Sequence, residues 1–572
     1  MIHVGGMTNG LRKGWRCGDI ENTVDRHLHG NSYHDATCNG STDIIFRNPM
    51  KALDQEDTMT EEARENQLTT LQKVGLILGP ILFFLTLLLD LDPGKPIVTR
   101  MAAVAVLMAT WWVTEAIPLA ATALVPMVLY PLLGILKGKT TAPIYINSTI
   151  FLFLGGFLIA LAMEQWNLHR RIALLIIRVI GGGPSMIILG FMIAGGFLSM
   201  WISNTATAIM MLPIGLAIIA QMENKFGRAH THSFTVALML GIAYSCSAGG
   251  MATIVGTPPN LALQRIFELS FPEARPIAFG QWFIMGLPFA VGFGFVIWLL
   301  LTKVFFRFPA DLKVDRAIVD REYRALGSMN FEEKIVLVIF FLTAVLWIFR
   351  SKLNLGFIAI PGWSALLPYP DLIDDGTVAL FMSMMLFFIP SRSSDAPSST
   401  LLSVTSFEKL PWSIVLLFGG GFALAKGFQV TGLSTIIGNK MYVLSGIHPI
   451  IMIATICVSL TFLTELTSNT ATTQMVLPIL ASVAVAMKIN PLLLMIPATL
   501  STSCAFMLPV ATPPNAIVFG SGRIRIFEMA RVGIFINLLG VPVITAFFYF
   551  IGRFIFSIDP NVFPQWAQAI AP

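Results

Sequence analysis

Two stretches of this 572-residue chain place ion-binding side chains where an apolar helix must break. The first reads Ser199-Met-Trp-Ile-Ser203-Asn204-Thr205-Ala206-Thr207 and the second Thr464-Glu-Leu-Thr467-Ser468-Asn469-Thr470-Ala471-Thr472. Each sits in a long apolar run, where clustered Ser, Asn and Thr are costly unless partnered. Each is followed by a second break, Gly256-Thr257-Pro258-Pro259-Asn260 and Ala511-Thr512-Pro513-Pro514-Asn515. Side-chain amides and hydroxyls at such breaks donate hydrogen bonds to carboxylate oxygens. The freed backbone carbonyls are hard ligands suited to a small cation such as sodium. Helices resuming after the breaks offer buried N-termini worth about half a positive charge each, about two in sum, which suits a dianion. No Lys or Arg lies inside any of these motifs, so an anion there must be held by dipoles, hydroxyls and cations.

Taken singly, a Ser-Asn-Thr in an apolar helix is usually interhelical packing, and a Pro-Pro is usually a kink. The ordered duplication is not explained by packing. Interrupted hydrophobic segments at corresponding positions in two halves point to a secondary transporter with its site near the bilayer midplane. Glu465 is a candidate proton or cation site, although Met200 takes the corresponding place in the first copy. Lys426, near the end of an apolar run, reads as a snorkelling side chain.

The elements that must position these motifs are membrane helices. With 55% hydrophobic and 12% charged residues, a soluble fold would leave apolar surface uncovered. The net charge of +5 reflects orientation-setting loop residues and does not imply nucleic acid. Five scattered cysteines, Cys17, Cys38, Cys246, Cys457 and Cys504, imply no disulfide framework. The first long apolar run begins only near Lys73, so no cleavable signal is expected.

The expected fold class is an all-α polytopic membrane protein with about eleven transmembrane helices and two re-entrant hairpins in an inverted-topology repeat. Residues 1–70 read as a disordered cytoplasmic tail. Its Cys17, His27, His29, His34 and Cys38 fit no compact zinc spacing, and the Asn39-Gly40-Ser41 sequon would go unused there. Residues 71–305 form the first half, with spans near 73–91, 98–114, 117–136, 149–165, 234–268 and 278–305 and a hairpin tip at 203–205. His169, Arg170, Arg171 and Arg178 place an amphipathic interfacial helix between the fourth span and that hairpin. Residues 306–332, polar and of both charge signs, read as a cytoplasmic linker. The second half, 333–557, repeats the pattern with spans near 333–349, 376–391, 412–428, 490–518 and 528–555 and a tip at 468–470. Phe153-Leu-Gly-Gly-Phe157 and Phe418-Gly-Gly-Gly-Phe422 correspond, and an odd number of crossings between them makes the halves inverted. Lys and Arg are enriched in the joints on the side of the N-terminus. That side is expected to be cytoplasmic, with residues 558–572 as an extracellular tail.

These strings resemble the divalent anion/sodium symporter family, and within it the INDY-type citrate and dicarboxylate transporters. The resemblance spans about residues 70–557 and rests on both Ser-Asn-Thr copies, both Thr-Pro-Pro-Asn copies and their flanks, such as Phe506-Met-Leu-Pro-Val-Ala-Thr-Pro-Pro-Asn-Ala-Ile-Val-Phe519. It implies a plasma-membrane homodimer, an elevator-type alternating-access mechanism, and di- and tricarboxylate substrates drawn from tricarboxylic acid cycle intermediates. Carried over by position, Asn204, Thr205, Thr257, Asn469, Thr470 and Pro513 would contact substrate carboxylates. One sodium site would comprise Ser199, Ser203, Asn204 and Gly256, and the other Thr464, Thr467, Asn469 and Ala511. Thr470, where a citrate-selective relative can carry Val, and Pro258, where some citrate transporters carry Gly, favour four-carbon dicarboxylates such as succinate, with citrate also admitted. Coupling to sodium and anion exchange both remain open at this stage, and no other cofactor is implied. The competing classes are an integral-membrane enzyme, which would need a catalytic cluster at a membrane face, and a cation/proton antiporter, which would carry paired acids at its unwound helices.

Overall fold

In a computed structural model of the chain, the described residues are 68–309, 311–312, 317–354, 359–393, 398–441, 446–560 and 562–568. The expected tail, its Cys/His group and its sequon therefore lie outside the described residues, apart from the last three positions assigned to the tail. The rest is almost wholly helical. The principal helices are α1 (Thr70–Leu87), α2 (Pro96–Thr114), α3 (Ser148–Gln165), α4 (Leu168–Ile180), α5 (Pro184–Ser199), α6 (Asn204–Phe226), α7 (Arg228–Gly250), α8 (Pro258–Ser270) and α9 (Phe279–Leu299). The second series is α10 (Phe331–Ile348), α11 (Asp375–Phe388), α12 (Trp412–Thr431), α13 (Pro449–Leu463), α14 (Asn469–Ala486), α15 (Leu492–Thr502), α16 (Pro513–Gly520) and α17 (Ile526–Phe547). Extended structure among the described residues is confined to the short pair Leu353–Asn354 with Ala359–Ile360 and a Pro390–Thr400 bridge.

Local sequence sets where these helices start. Thr69 with Gln72 and Asn330 with Glu333 form reciprocal capping boxes at α1 and α10. Pro at the first turn opens α2, α5, α8, α13 and α16, where its missing N–H has no intrahelical partner in any case. The two helices that lead into the Thr-Pro-Pro-Asn breaks are the most deeply placed. Every residue of α15 is buried, as is every residue of α7 from Phe234 onward. A helix that is apolar all round has to be covered all round, so these two form the centre about which the other helices pack.

Nine helices among the described residues are long and apolar enough to cross a bilayer. Seven fall on expected spans, and the other two are α6 and α14, the arms that follow the two Ser-Asn-Thr tips. Four expected spans are not among the nine. The run at 117–136 is cut by Pro118, Pro126 and Pro131 into pieces Leu119–Thr122 and Val125–Leu132. The run at 376–391 gives a 14-residue helix, and 490–518 is divided by a non-helical stretch after Thr502. The run at 333–349 is helical, but α10 opens with Glu332, Glu333 and Lys334.

Glu332 and Glu333 are buried for a reason. The polar face of helix α4, the expected interfacial helix, packs on the linker: Arg170 pairs with Glu322 at 2.7 Å, and Arg178 with Asp320 at 2.7 Å. Arg171 is almost fully buried; its Nε and Nη2 donate to the two carboxylate oxygens of Glu333 at 3.1 and 2.9 Å. Its Nη1 and Nη2 also reach the carbonyls of Gly327 and Leu326. This bidentate pair ties the first half to the start of the second. Arg171→Ala leaves the Glu333 charge buried without its partner and should destabilise the protein by about 3–5 kcal/mol. The drop will appear as a lower thermal midpoint of the detergent-purified protein, and removal of both partners by Arg171→Met with Glu333→Leu should recover much of it.

Candidate functional site

The four breaks meet. A cavity of about 830 Å³ is lined by Ser203, Asn204 and Thr205 from the first tip and by Ser468, Asn469 and Thr470 from the second. Gly256 to Pro259 and Ala511 to Pro514 complete its wall. Exposed residues on its wall include Thr69, Glu115, Pro118 and Ser413, beside the start of α1 and the end of α2. The charged side chains among its described lining residues are Glu115 and Glu465; none is Lys or Arg.

A helix starts at each break. Ser203 and Ser468 are the N-caps of α6 and α14, their hydroxyls accepting from the backbone N–H of Ala206 at 3.1 Å and Ala471 at 3.5 Å. Thr257 and Thr512 are the N-caps of α8 and α16. Thr512 accepts from the N–H of Asn515 at 3.4 Å, whereas Thr257 makes no side-chain cap bond. The Thr257 hydroxyl is thus left uncommitted at the cavity wall, where the Thr512 hydroxyl is spent on its helix. The positive ends of four helix dipoles face one cavity that contains no cationic side chain.

The residues expected at the site separate into two sets. Asn204, Thr205, Thr257, Asn469, Thr470, Pro513, Ser203, Gly256, Thr467 and Ala511 line the cavity. Ser199 and Thr464 lie just behind it, both with no exposed surface. Asn204 Oδ1 and Ser199 Oγ are buried with no hydrogen-bond partner in the protein. Thr464 Oγ1 lies 2.5 Å from Asn469 Oδ1 and 3.0 Å from the Thr502 carbonyl, and Thr467 Oγ1 lies 2.7 Å from Thr472 Oγ1.

Glu465 is at the second tip, but its carboxylate is fully engaged. Oε1 accepts from the N–H of Phe506 at 2.7 Å, the N–H of Met507 at 2.9 Å and Nδ2 of Asn537 at 2.6 Å. Oε2 accepts from the N–H of Leu508 at 3.1 Å. The carboxylate thus anchors the non-helical chain between α15 and α16. In the first half, Thr253, in the stretch after α7, anchors the backbone without charge. It donates to the Met200 carbonyl at 2.6 Å and accepts from the N–H of Gly256 at 2.9 Å. This pairing explains why Met200 can stand opposite Glu465: the backbone needs an anchor, and each half finds a different one.

Two functional features were not legible in the motifs. The first is the work of Asn260 and Asn515. Nδ2 of Asn260 donates to the Thr253 carbonyl at 2.7 Å and reaches that of Gly250 at 3.3 Å. Nδ2 of Asn515 donates to the carbonyls of Ala505 and Leu508 at 3.1 Å each. Both asparagines point back from the new helix to fasten the chain that enters the break, and neither lines the cavity. The two halves match here, because each Asn reaches carbonyls seven and ten residues before it. The second is Gly249-Gly250. A Cβ at Gly249 would run into the backbone of Gly196 in α5, and one at Gly250 would lie 2.9 Å from both Asn204 Oδ1 and the Gly256 carbonyl. The pair lets the ends of α5 and α7 come together and leaves Asn204 room.

With this geometry in place, the chain is assigned to a class. It belongs to the family described as the sodium:sulfate symporter transmembrane region, whose signature matches residues 75–558. The expected resemblance to divalent anion/sodium symporters is thereby borne out, and the family is one of transporters, not enzymes. Among curated relatives, a sodium-dependent dicarboxylate transporter, SdcS, of Staphylococcus saprophyticus is 43% identical over 496 residues, covering 85% of this chain and 93% of that protein. SdcS of Staphylococcus aureus strain NCTC 8325 is 44% identical over 501 residues, 86% of this chain and 93% of that protein. Among solved structures, Neisseria gonorrhoeae MtrF aligns with a TM-score of 0.49 at 12% identity, over 75% of this chain and 85% of that one.

Two substitutions test the geometry. Gly250→Ala should displace Asn204 and lower substrate uptake by ~10² or more with normal membrane insertion, since sub-ångström errors in a preorganised site are costly. Glu465→Ala leaves four donors unmatched and should lower unfolding free energy by about 3 kcal/mol or more, read as a loss of thermal midpoint. A Glu465→Ala protein of unchanged stability but altered sodium dependence would instead restore Glu465 as a cation ligand.

Proposed function

We propose that this chain is a secondary active transporter that couples sodium to the movement of four-carbon dicarboxylates such as succinate, with citrate as a further substrate. The observation that carries this reading is the cavity into which four helix N-termini point, with acids but no Lys or Arg on its wall. A dianion in such a site needs positive charge from elsewhere. The dipole ends supply about two units in sum, and bound sodium supplies the remainder against Glu115 and Glu465. The buried oxygens of Ser199 and Asn204, which lack protein partners, fit a hard cation. The Staphylococcus relatives carry names that specify sodium dependence and dicarboxylates, which favours sodium coupling over anion exchange.

In this reading Asn204, Thr205, Asn469, Thr470, Thr257 and the start of α16 at Pro513 hold the two carboxylates. Ser199, Ser203, Asn204 and Gly256 hold one sodium, and Thr464, Thr467, Asn469 and Ala511 hold the other. The tips at 203–205 and 468–470 belong to re-entrant hairpins, one in each inverted half, 71–305 and 333–557. The N-terminal side is cytoplasmic, residues 306–332 are a cytoplasmic linker and residues 558–572 are extracellular. The exposed part of the cavity wall, at Thr69 and Glu115, then faces the cytoplasm. Alternating access is of the elevator type in a plasma-membrane homodimer, as the family resemblance implies. The broad apolar face of α1, with Ile77, Ile81 and Phe84 exposed, suits a lipid-facing helix.

The test is uptake of labelled succinate and citrate into proteoliposomes, with sodium outside, with choline in its place, and with or without anion inside. Uptake that requires a sodium gradient is expected. Asn204→Ala and Asn469→Ala should each reduce it by ~10² or more without loss of assembly. Uptake that ignores sodium and requires internal anion would reassign the protein as an exchanger.

A further inference from the structure

The sequence holds a third duplicated element, visible only once the cavity is known. Ser245-Cys246-Ser247 closes α7 and Ser501-Thr502-Ser503 closes α15. Each precedes its Thr-Pro-Pro-Asn by a similar distance: Ser247 is ten residues before Thr257 and Ser503 nine before Thr512. Both Ser247 and Ser503 line the cavity, both are only 3% exposed, and both hydroxyl oxygens are buried without a partner in the protein. A serine in a buried helix ordinarily satisfies itself on the carbonyl of the preceding turn. Ser482 does so here, on the Pro478 carbonyl at 2.8 Å. Ser247 and Ser503 both leave this bond unmade, and both belong to the wall of one cavity.

Their position decides what they face. The cavity is sorted by helix polarity. Helices α6, α8, α14 and α16 begin at it, and helices α5, α7, α13 and α15 end at it. N-termini attract anions; C-termini, with their free carbonyls, attract cations. Ser247 lies in the last turn of α7, and Ser503 is the C-cap of α15. Around the first, the close approach of Gly196 and Gly249 brings the end of α5 beside the end of α7, and Gly250, one turn beyond Ser247, faces Asn204. Ser199 Oγ and Asn204 Oδ1, also unpartnered, lie at the same junction. Around the second, Thr464 lies 3.0 Å from the carbonyl of Thr502, the residue before Ser503.

We infer that Ser247 and Ser503 are a matched pair of sodium-binding residues, one in each half, whose hydroxyl oxygens serve the coupling cations and not the carboxylate substrate. This rests on the sodium-coupled reading above and extends its two cation positions by one side-chain oxygen each. The hydroxyl is a hard neutral donor of the kind sodium prefers, and a buried water is the alternative occupant.

The test uses purified full-length protein with Ser247→Ala, Ser503→Ala and the nearly isosteric Ser247→Cys and Ser503→Cys, which keep the volume but offer a soft sulfur. Thermal midpoints are measured across a sodium chloride titration at constant ionic strength with choline chloride, and uptake is measured against sodium and against succinate. Expected is a ~10-fold rise in the sodium concentration giving half of the thermal shift, the size of one lost polar ligand. The Cys variants should behave like the Ala variants, with midpoints in choline alone close to the parent. Half-saturation by succinate at high sodium should move by less than ~2-fold, below the cost of a lost substrate hydrogen bond. If succinate half-saturation moves and sodium half-saturation does not, the serines face the anion and the inference is wrong. If neither moves, the hydroxyls hold only water, and it is again wrong. A parent protein that transports succinate but gives no sodium response in either assay would instead overturn the coupling reading on which the inference stands.

Discussion

The structure depends on one constraint: a polypeptide backbone that leaves helical geometry among apolar helices must have its amides and carbonyls satisfied by protein or by ligand. The chain breaks its helices four times around one cavity, and three of the breaks have backbone groups fastened by side chains. Asn260 and Asn515 hold carbonyls, Glu465 holds three amides, and Thr253 holds a carbonyl and an amide. Aromatic side chains add to this from neighbouring helices, with Trp282 donating to the Met251 carbonyl and Tyr244 to that of Phe506. Among the buried side chains left with an unpartnered polar atom, Asn204, Ser247 and Ser503 belong to the cavity wall.

Fastening the breaks in this way places eight helix ends at one location. Four positive ends and four negative ends meet there, and in the proposed function these let the cavity hold an anion and cations together with no Lys or Arg among its described lining residues. A Lys or Arg would hold its charge in every state of a transport cycle. Dipoles and exchangeable cations hold an anion with a strength that depends on the cations, which is the physical requirement for coupling.

The two halves are equivalent in plan and unequal in chemistry. Glu465 and Thr253 solve one backbone problem in two ways, and Thr512 caps its helix while Thr257 does not. Duplication conserves the positions of helix ends, because these follow from Pro, Ser and Asn at set spacings. The anchors around them are free to differ, since any group with the right donors and acceptors will serve.

From sequence alone, the membrane class, the nearly all-helical build, the family and the four helix starts were determined, because apolar run length, N-cap residues and paired prolines act over a few residues. The candidate site was legible to the same depth: ten of its twelve residues line one cavity, and Ser199 and Thr464 stand behind it. What the sequence left open depends on contacts between distant segments. Glu465 read as an ion site because its partners Phe506, Leu508 and Asn537 lie 41 to 72 residues away. The ion pairs of helix α4 were not legible, because their acids lie in the linker and at the start of α10, more than 140 residues away. Ser247 and Ser503 looked like ordinary helix serines. Only the tertiary structure decided which polar groups are spent on holding the backbone and which are left for a ligand, since partnership is a property of the packed chain and not of any stretch of it.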